Sequence, residues 1–290
     1  MGIVKQSVGK LRALRPGQIR REAQRSFRLV LIAADDAERE ALSRVLIPDG
    51  SSSAERGRAL SALADSGERP FKGAEVTVCT PRAASGEKWR ATGADVILDV
   101  AAPEAGLRAL LRAHPGLRLA LARTFPPLRE LLARELIRAA AARNAAVAAI
   151  SALPEVIPTP LSLLLALGEM GSDTVVITGN QIGLAFELAA LRGELVGWRA
   201  QAGPVLSIMA GGLGWRTLAR ELVGLIPAGV GLAAKTAIAY SGTMAVGTAL
   251  WRERARTPHV RVPSSSAEKW RAPQKVVPPP CQPPAIGVVV

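Results

Sequence analysis

The chain of 290 residues is long enough for two modest domains. It is 49% hydrophobic but only 3% aromatic, so its cores must be built from Ala, Leu, Val and Ile. Two distant cysteines, Cys79 and Cys281, make no disulfide framework and point to a reducing compartment, and with His114 and His259 they give no zinc-ligand spacing. The net charge of +13 sits at the ends: eight Lys/Arg against one Glu in residues 1–28, and seven against two in 252–290, leave +1 for the residues between, which suits basic tails on an anionic surface.

Residues 1–26 read as a basic arm with no apolar run of secretory-signal length. Val4, Val8, Leu11 and Leu14 fall on one helical face, as in a short interfacial helix or a solvated arm lying on the domain, until Pro16-Gly17 breaks the pattern. Ser7 follows Met1-Gly2 one position too late for a myristoylation signal.

Residues 27–126 alternate short apolar runs with helix-length polar stretches, which predicts a small parallel α/β layer. Phe27–Ala33 is the first strand, and Asp35 or Asp36 caps the helix that follows to Leu46. Residues 48–53 form a loop and 54–70 a weak, exposed segment. Ala74–Cys79 and Ala94–Val100 are further strands, His114-Pro-Gly116 is a turn, and the alternation of Leu117–Ala122 predicts a fourth strand.

Residues 127–251 read as an apolar helical domain. Pro126-Pro127 opens a helix running from Leu128 to at least Arg143. Residues 144–170, with prolines at 154, 158 and 160, predict two short helices joined by a turn. Residues 174–191 form a helix carrying Asn180 and Gln181, whose amides need partners when buried: interhelical hydrogen bonds, with a ligand contact as the alternative. Val205–Ile226 is amphipathic, with Arg216, Arg220 and Glu221 sharing a face. A last helix from Val230 to Trp251 would span about 33 Å. That length fits a bilayer crossing, with Lys235 snorkelling and Trp251, Arg252, Arg254 and Arg256 on the cytoplasmic side. It fits a buried or membrane-surface helix equally. Ala233, Ala237, Ser241, Ala245 and Ala249 recur every fourth residue, a seam on which another helix could pack closely. Residues 252–290, with eight prolines, form a Pro/Arg-rich tail too polar to order itself.

One stretch nearly spells a phosphate-binding loop. In GVGLAAKT, Gly229, Lys235 and Thr236 fit, but Ala234 stands where the second glycine belongs, and Leu222–Pro227, which can be read as a short strand, is flanked by helical composition with no sheet to join. It reads better as a Pro-Gly break, Ile226-Pro-Ala-Gly229, entering a helix. The place for such a loop is the end of the first strand. There Ala33-Ala-Asp-Asp-Ala-Glu38 has no Gly, no Lys and several carboxylates that would repel phosphate. Asp95–Asp99 lacks D-x-x-G, Ala122–Phe125 lacks N-K-x-D, and only Ser151-Ala-Leu153 matches the last GTPase signature.

Ser151-Ala-Leu-Pro154, the Asn180-Gln181 helix, Leu191-Arg-Gly193, and Ile226-Pro-Ala-Gly229 leading to Ala239-Tyr240 and Gly247 together resemble the YcjF-like family. This domain of unknown function is also found behind Era-like GTPase domains, and the likeness covers about residues 128–251. The resemblance implies a helical, membrane-associated module paired with a GTPase-like layer, here a degenerate G-domain without its nucleotide motifs. The family offers no reaction to carry over.

The expectation is therefore an α/β N-terminal domain followed by an all-α hydrophobic domain, in a non-enzymatic scaffold or regulatory protein. It would sit at the cytoplasmic membrane with its tails on the cytoplasmic side, or else in the cytoplasm. The partners expected are an anionic membrane surface or bilayer and a protein or second copy on the small-residue face. A divergent nucleotide hydrolase and non-specific nucleic-acid binding through the tails are the alternatives, the latter disfavoured by the scarcity of aromatics. No catalytic, cofactor-binding or metal-ligating residue is assigned.

Overall fold

The computed structural model describes residues 16–64, 74–85, 95–156, 172–208 and 231–256. The Val4–Leu14 arm, Pro158 and Pro160, the Arg216/Arg220/Glu221 face, Gly229 and the tail beyond 256 lie outside these residues. The chain is mostly helical, with one small parallel sheet near the N-terminus.

Helix α1 (Pro16–Ala23) begins at the proline, whose missing N–H is harmless in a first turn. Strand β1 (Leu29–Ile32) is buried at all four positions, as expected for a strand covered on both faces. Helix α2 (Asp36–Leu46) is capped by Asp35, whose side chain accepts from the Glu38 N–H. Helix α3 (Ser53–Ala62), strand β2 (Leu63–Ala64), strand β3 (Val76–Cys79), the short helix α4 (Pro81–Ala84) and strand β4 (Val96–Ile97) complete the sheet region. Helix α5 (Pro103–Ala113), a 3-10 turn and helix α6 (Arg118–Thr124) lead into the helical half.

The strand order is β2-β1-β3-β4, all parallel, with Leu29 against Leu63 on one side and Val76 on the other. The chain leaves β1 in one direction and returns across it to β3, so the crevice at the carboxyl ends of β1 and β3 is the sheet's switch point. Leu29, Leu31, Val76 and Val78 face a core shared with α2, α5, α6 and the helical half, while Val30, Ile32 and Cys79 face the opposite side with Ala83.

Two expectations in this half are corrected. The weak segment 54–70 contains α3, made by a capping box: the Ser52 side chain accepts from the Glu55 N–H, and the Glu55 carboxylate accepts from the Ser52 N–H. The predicted strand Leu117–Ala122 is helical instead, in the 3-10 turn and α6. It contains only Leu, Ala and Arg, all strong helix formers, and no β-branched residue. Leu117, Ala120, Leu121 and Phe125 are buried at helical spacing.

Helix α7 (Pro126–Val156) runs for 31 residues and passes Pro154; the rest of the 144–170 stretch in which a turn is expected lies outside the described residues. Helix α8 (Ser172–Leu191) ends in a Schellman motif: Glu194 N–H donates to Ala189 O, Gly193 N–H to Ala190 O, and Gly193 takes φ 75°. Residues 202–208 are helical. Helix α9 (Gly231–Arg256) packs chiefly on α7 and also on α8. The approach is close at Gly247, where a Cβ would lie 2.9 Å from Ile137 Cγ1 and Cγ2 and 3.1 Å from Leu184 Cδ2.

The small-residue seam is not the face by which α9 packs within the chain. Ala233, Ala237, Ser241, Ala245 and Ala249 are exposed, and α9 packs through Gly242, Thr243, Gly247 and Leu250 instead. Among the described residues no helix, α9 included, is long and apolar enough to cross a membrane. Residues 231–236 of the near phosphate-loop stretch lie within α9, so Lys235 and Thr236 are helical residues.

Candidate functional site

The switch-point crevice is lined by charged and hydroxyl side chains from two βα connections. After β1 the chain turns through Ala34 and Asp35 into α2, which places Glu38 one turn in. After β3, Thr80 caps α4 and Pro81 starts it, which projects Arg82 across the crevice. The Glu38 carboxylate sits at the centre. Its Oε2 accepts from the Thr80 hydroxyl at 2.7 Å and the Ala34 N–H at 3.1 Å, and its Oε1 accepts from Arg82 Nη1 at 3.0 Å. Arg82 Nη1 also reaches Asp35 Oδ2 at 3.1 Å.

Thr80 is buried, and its oxygen already accepts the Ala83 N–H at 3.2 Å, so the hydroxyl proton is committed to Glu38. The Thr80 hydroxyl, followed by the Ala34 N–H and the Arg82 charge, holds the Glu38 carboxyl below its usual range. The Glu38 N–H does the same for Asp35, with help from Arg82. These carboxylates fill the place where the sequence, read as a nucleotide fold, would need phosphate donors. The Asp35 cap was legible in the sequence; the partnership of Glu38, Thr80 and Arg82 was not, because it forms through space across 42 and 44 positions.

A second polar cluster lies inside the helical half. Asn144 on α7 is wholly buried; it donates to Thr243 Oγ1 on α9 at 2.9 Å and accepts from Asn180 Nδ2 on α8 at 2.7 Å. Gln181 Nε2 reaches the same Thr243 hydroxyl at 3.4 Å, and that hydroxyl donates to Ala239 O. The amides expected to bridge helices do so. With its members partnered among themselves, the cluster reads as a register device for three helices that otherwise meet through Ala, Leu and Gly.

Further contacts join the two halves, through Glu55 and Arg129, and tie the helical half to itself, around Trp251. The Glu55 Oε1 of α3 pairs with Arg129 Nη1 of α7 at 2.7 Å. Burial opposes the Glu55 charge, but Arg129 and Ser52 outweigh it and hold the carboxyl at about 2. Trp251 Nε1 donates to Glu130 Oε2 at 2.7 Å, and Arg192 stacks 4.2 Å over the Trp251 ring while donating to its carbonyl. The buried Cys79 thiol is pushed up to about 11 by burial, which makes it inert rather than nucleophilic.

Large apolar side chains are exposed at several places, among them Ile150 and three that fall close together in sequence after α8. Leu195 is 70% exposed, Leu206 65% and Trp198 39%, with exposed Arg199 next to the tryptophan. The segment is held rigidly from beneath. Trp198 stacks edge-on against Phe186 at 5.3 Å, buried Gln201 donates to Leu195 O at 3.0 Å, and Val205 and Ile208 pack into the core.

Among the described residues no group of three or more His, Cys, Asp or Glu side chains is placed to hold a metal ion. The chain matches no family model, no curated protein and no solved structure.

Proposed function

We propose that this protein is a non-catalytic scaffold or regulatory protein that works at an anionic membrane surface. In this reading the sheet is a degenerate GTPase-like layer, and residues 128–251 are a helical module of the YcjF-like kind. The observation that carries it is the exposed Leu195, Trp198 and Leu206 set beside Arg199, in a chain whose basic charge is concentrated at its two ends. Exposed Trp and Leu suit the headgroup boundary, and each Lys or Arg near an anionic surface adds about 1 kcal/mol. The absence of a spanning helix among the described residues fits adsorption better than insertion. The switch-point crevice supports the non-catalytic part: Glu38 and Asp35 place carboxylates, paired with Arg82, where a phosphate-binding loop would place Gly and Lys.

The experiment is a paired substitution at the two most exposed leucines, L195E/L206E, in the full chain. It should weaken binding to vesicles containing phosphatidylserine by at least about fivefold, because an apolar contact is replaced by two repelled charges, while leaving thermal stability nearly unchanged. Unaltered vesicle binding would contradict the reading. Calorimetry with GTP or ATP and Mg²⁺ tests the non-catalytic layer, and micromolar binding would overturn it.

A further inference from the structure

The switch-point crevice contains more than a capped helix. Three donors from the two βα connections converge on one point: the Ala34 N–H after β1, and the Thr80 hydroxyl and Arg82 guanidinium after β3. What they converge on is the carboxylate of Glu38, with both oxygens engaged. A backbone N–H, a hydroxyl and a guanidinium are the donor types with which proteins bind small oxyanions, and the carboxyl ends of strands at a switch point are where such ligands sit. The Glu38 carboxylate thus stands in for an oxyanion ligand.

The arrangement differs from an ordinary capping box. There the glutamate would reach back to the N-cap N–H, which belongs to Asp35. Glu38 instead reaches one residue further to Ala34 and across the crevice to the second connection. The Thr80 hydroxyl donates to Glu38 while its own oxygen accepts the Ala83 N–H. If Glu38 leaves, a buried hydroxyl and a main-chain N–H are both without partners, and an incoming anion can satisfy both. Arg82 is 70% exposed on its side chain and Glu38 19%, so the crevice opens to solvent on the arginine side. Asp35 works against an anion, but it engages Arg82 through one nitrogen only, and a guanidinium has further donors.

We propose that Ala34, Thr80 and Arg82 form an oxyanion-binding cradle that the wild-type chain keeps closed with its own Glu38. The ligand class is a small tetrahedral or planar oxyanion, for which inorganic phosphate is the probe. In the wild-type protein phosphate must displace Glu38; in Glu38→Ala the cradle is vacant. The proposal is independent of the membrane reading, since it concerns the opposite half of the chain and a soluble ligand.

The test is calorimetry of phosphate with the full-length wild-type chain, E38A and E38A/R82M, with folding checked by circular dichroism. The basic tails are common to all three and cancel in the comparison. E38A should bind phosphate at least about tenfold more tightly than wild type, and adding R82M should abolish that gain, the scale of one charge-assisted hydrogen bond. Equal binding by wild type and E38A overturns the proposal, as does a gain that survives R82M. If E38A does not fold, E38Q is the second variant. It keeps an acceptor for Thr80 but removes the charge that holds Arg82, and it should bind phosphate at least about threefold more tightly than wild type. No gain in E38Q then overturns the proposal.

Discussion

The Asn144 side-chain amide donates to the Thr243 hydroxyl at 2.9 Å, a buried bond that ties α7 to α9 across 99 positions of sequence. Asn180 enters the same cluster from α8, so one asparagine fixes the mutual register of three helices. Apolar packing alone would specify this poorly, because Ala- and Leu-rich faces can slide by a turn with little loss.

Removing that hub should be costly. N144A leaves the Asn180 amide without its acceptor, and should destabilise the fold by about 1–3 kcal/mol in urea unfolding. Pairing it with T243V in a double-mutant cycle should give a coupling of at least about 0.5 kcal/mol. Additive costs would mean the cluster is not a unit.

Gly247 should resist even alanine. Alanine gains roughly 1 kcal/mol in helix propensity, yet its Cβ would meet both γ carbons of Ile137 at 2.9 Å. Those carbons branch directly from Cβ and cannot swing away, so α9 must shift from α7. G247A should lower stability by about 1–3 kcal/mol, measured by thermal or urea unfolding. A stabilised G247A would show that the helices are less closely packed than described.

The Glu55–Arg129 pair should leave a signature in acid. The Glu55 carboxyl is held at about 2 in the folded state, below its ordinary value of 4.5, so its contribution is present above pH 4.5 and is lost as pH falls toward 2. The pair is partly open to solvent, with side-chain exposures of 22% and 17%, so about 1–2 kcal/mol is the expected size after screening. E55Q should be less stable than wild type at pH 7 and approach it near pH 2. A constant difference across that window would rule out the pair as the cause.

Cys79 should behave as a silent probe of global unfolding. It is fully buried and its thiol is pushed up to about 11, so in a C281S background alkylation should occur only through opening of the sheet. Its rate should track stability across the variants above. Fast labelling of the native protein would show that the sheet opens locally.

The sequence made some of this legible. The buried runs of β1 and β3, the Asp35 cap and the need of Asn180 and Gln181 for partners followed from local chemistry. The errors have physical causes. Leu117–Ala122 alternates like a strand, but its Leu, Ala and Arg carry helix propensity and its burial follows a helical period. Helix α3 buries only Ala59 and Ala62, so it shows little apolar pattern; the Ser52–Glu55 spacing was its only clear signal. The alanine seam of α9 could be placed on one face by its period, but period alone does not say which face meets α7. Here Gly247 and Thr243 decided it, one by allowing close approach and the other by bonding Asn144. The Thr80 and Arg82 partners of Glu38 were invisible for a different reason, since strand order brings them together.

The central claim, adsorption to an anionic membrane surface without crossing it, is tested most directly by co-sedimentation of the full chain with vesicles. Vesicles with about 30% phosphatidylserine are compared with neutral ones, at about 0.05 M and about 0.5 M salt, where the screening length falls severalfold. The account predicts binding to the anionic vesicles at low salt, most of it released at high salt, and little binding to neutral vesicles. Binding that ignores lipid charge and survives high salt, or no binding to either vesicle, would contradict it.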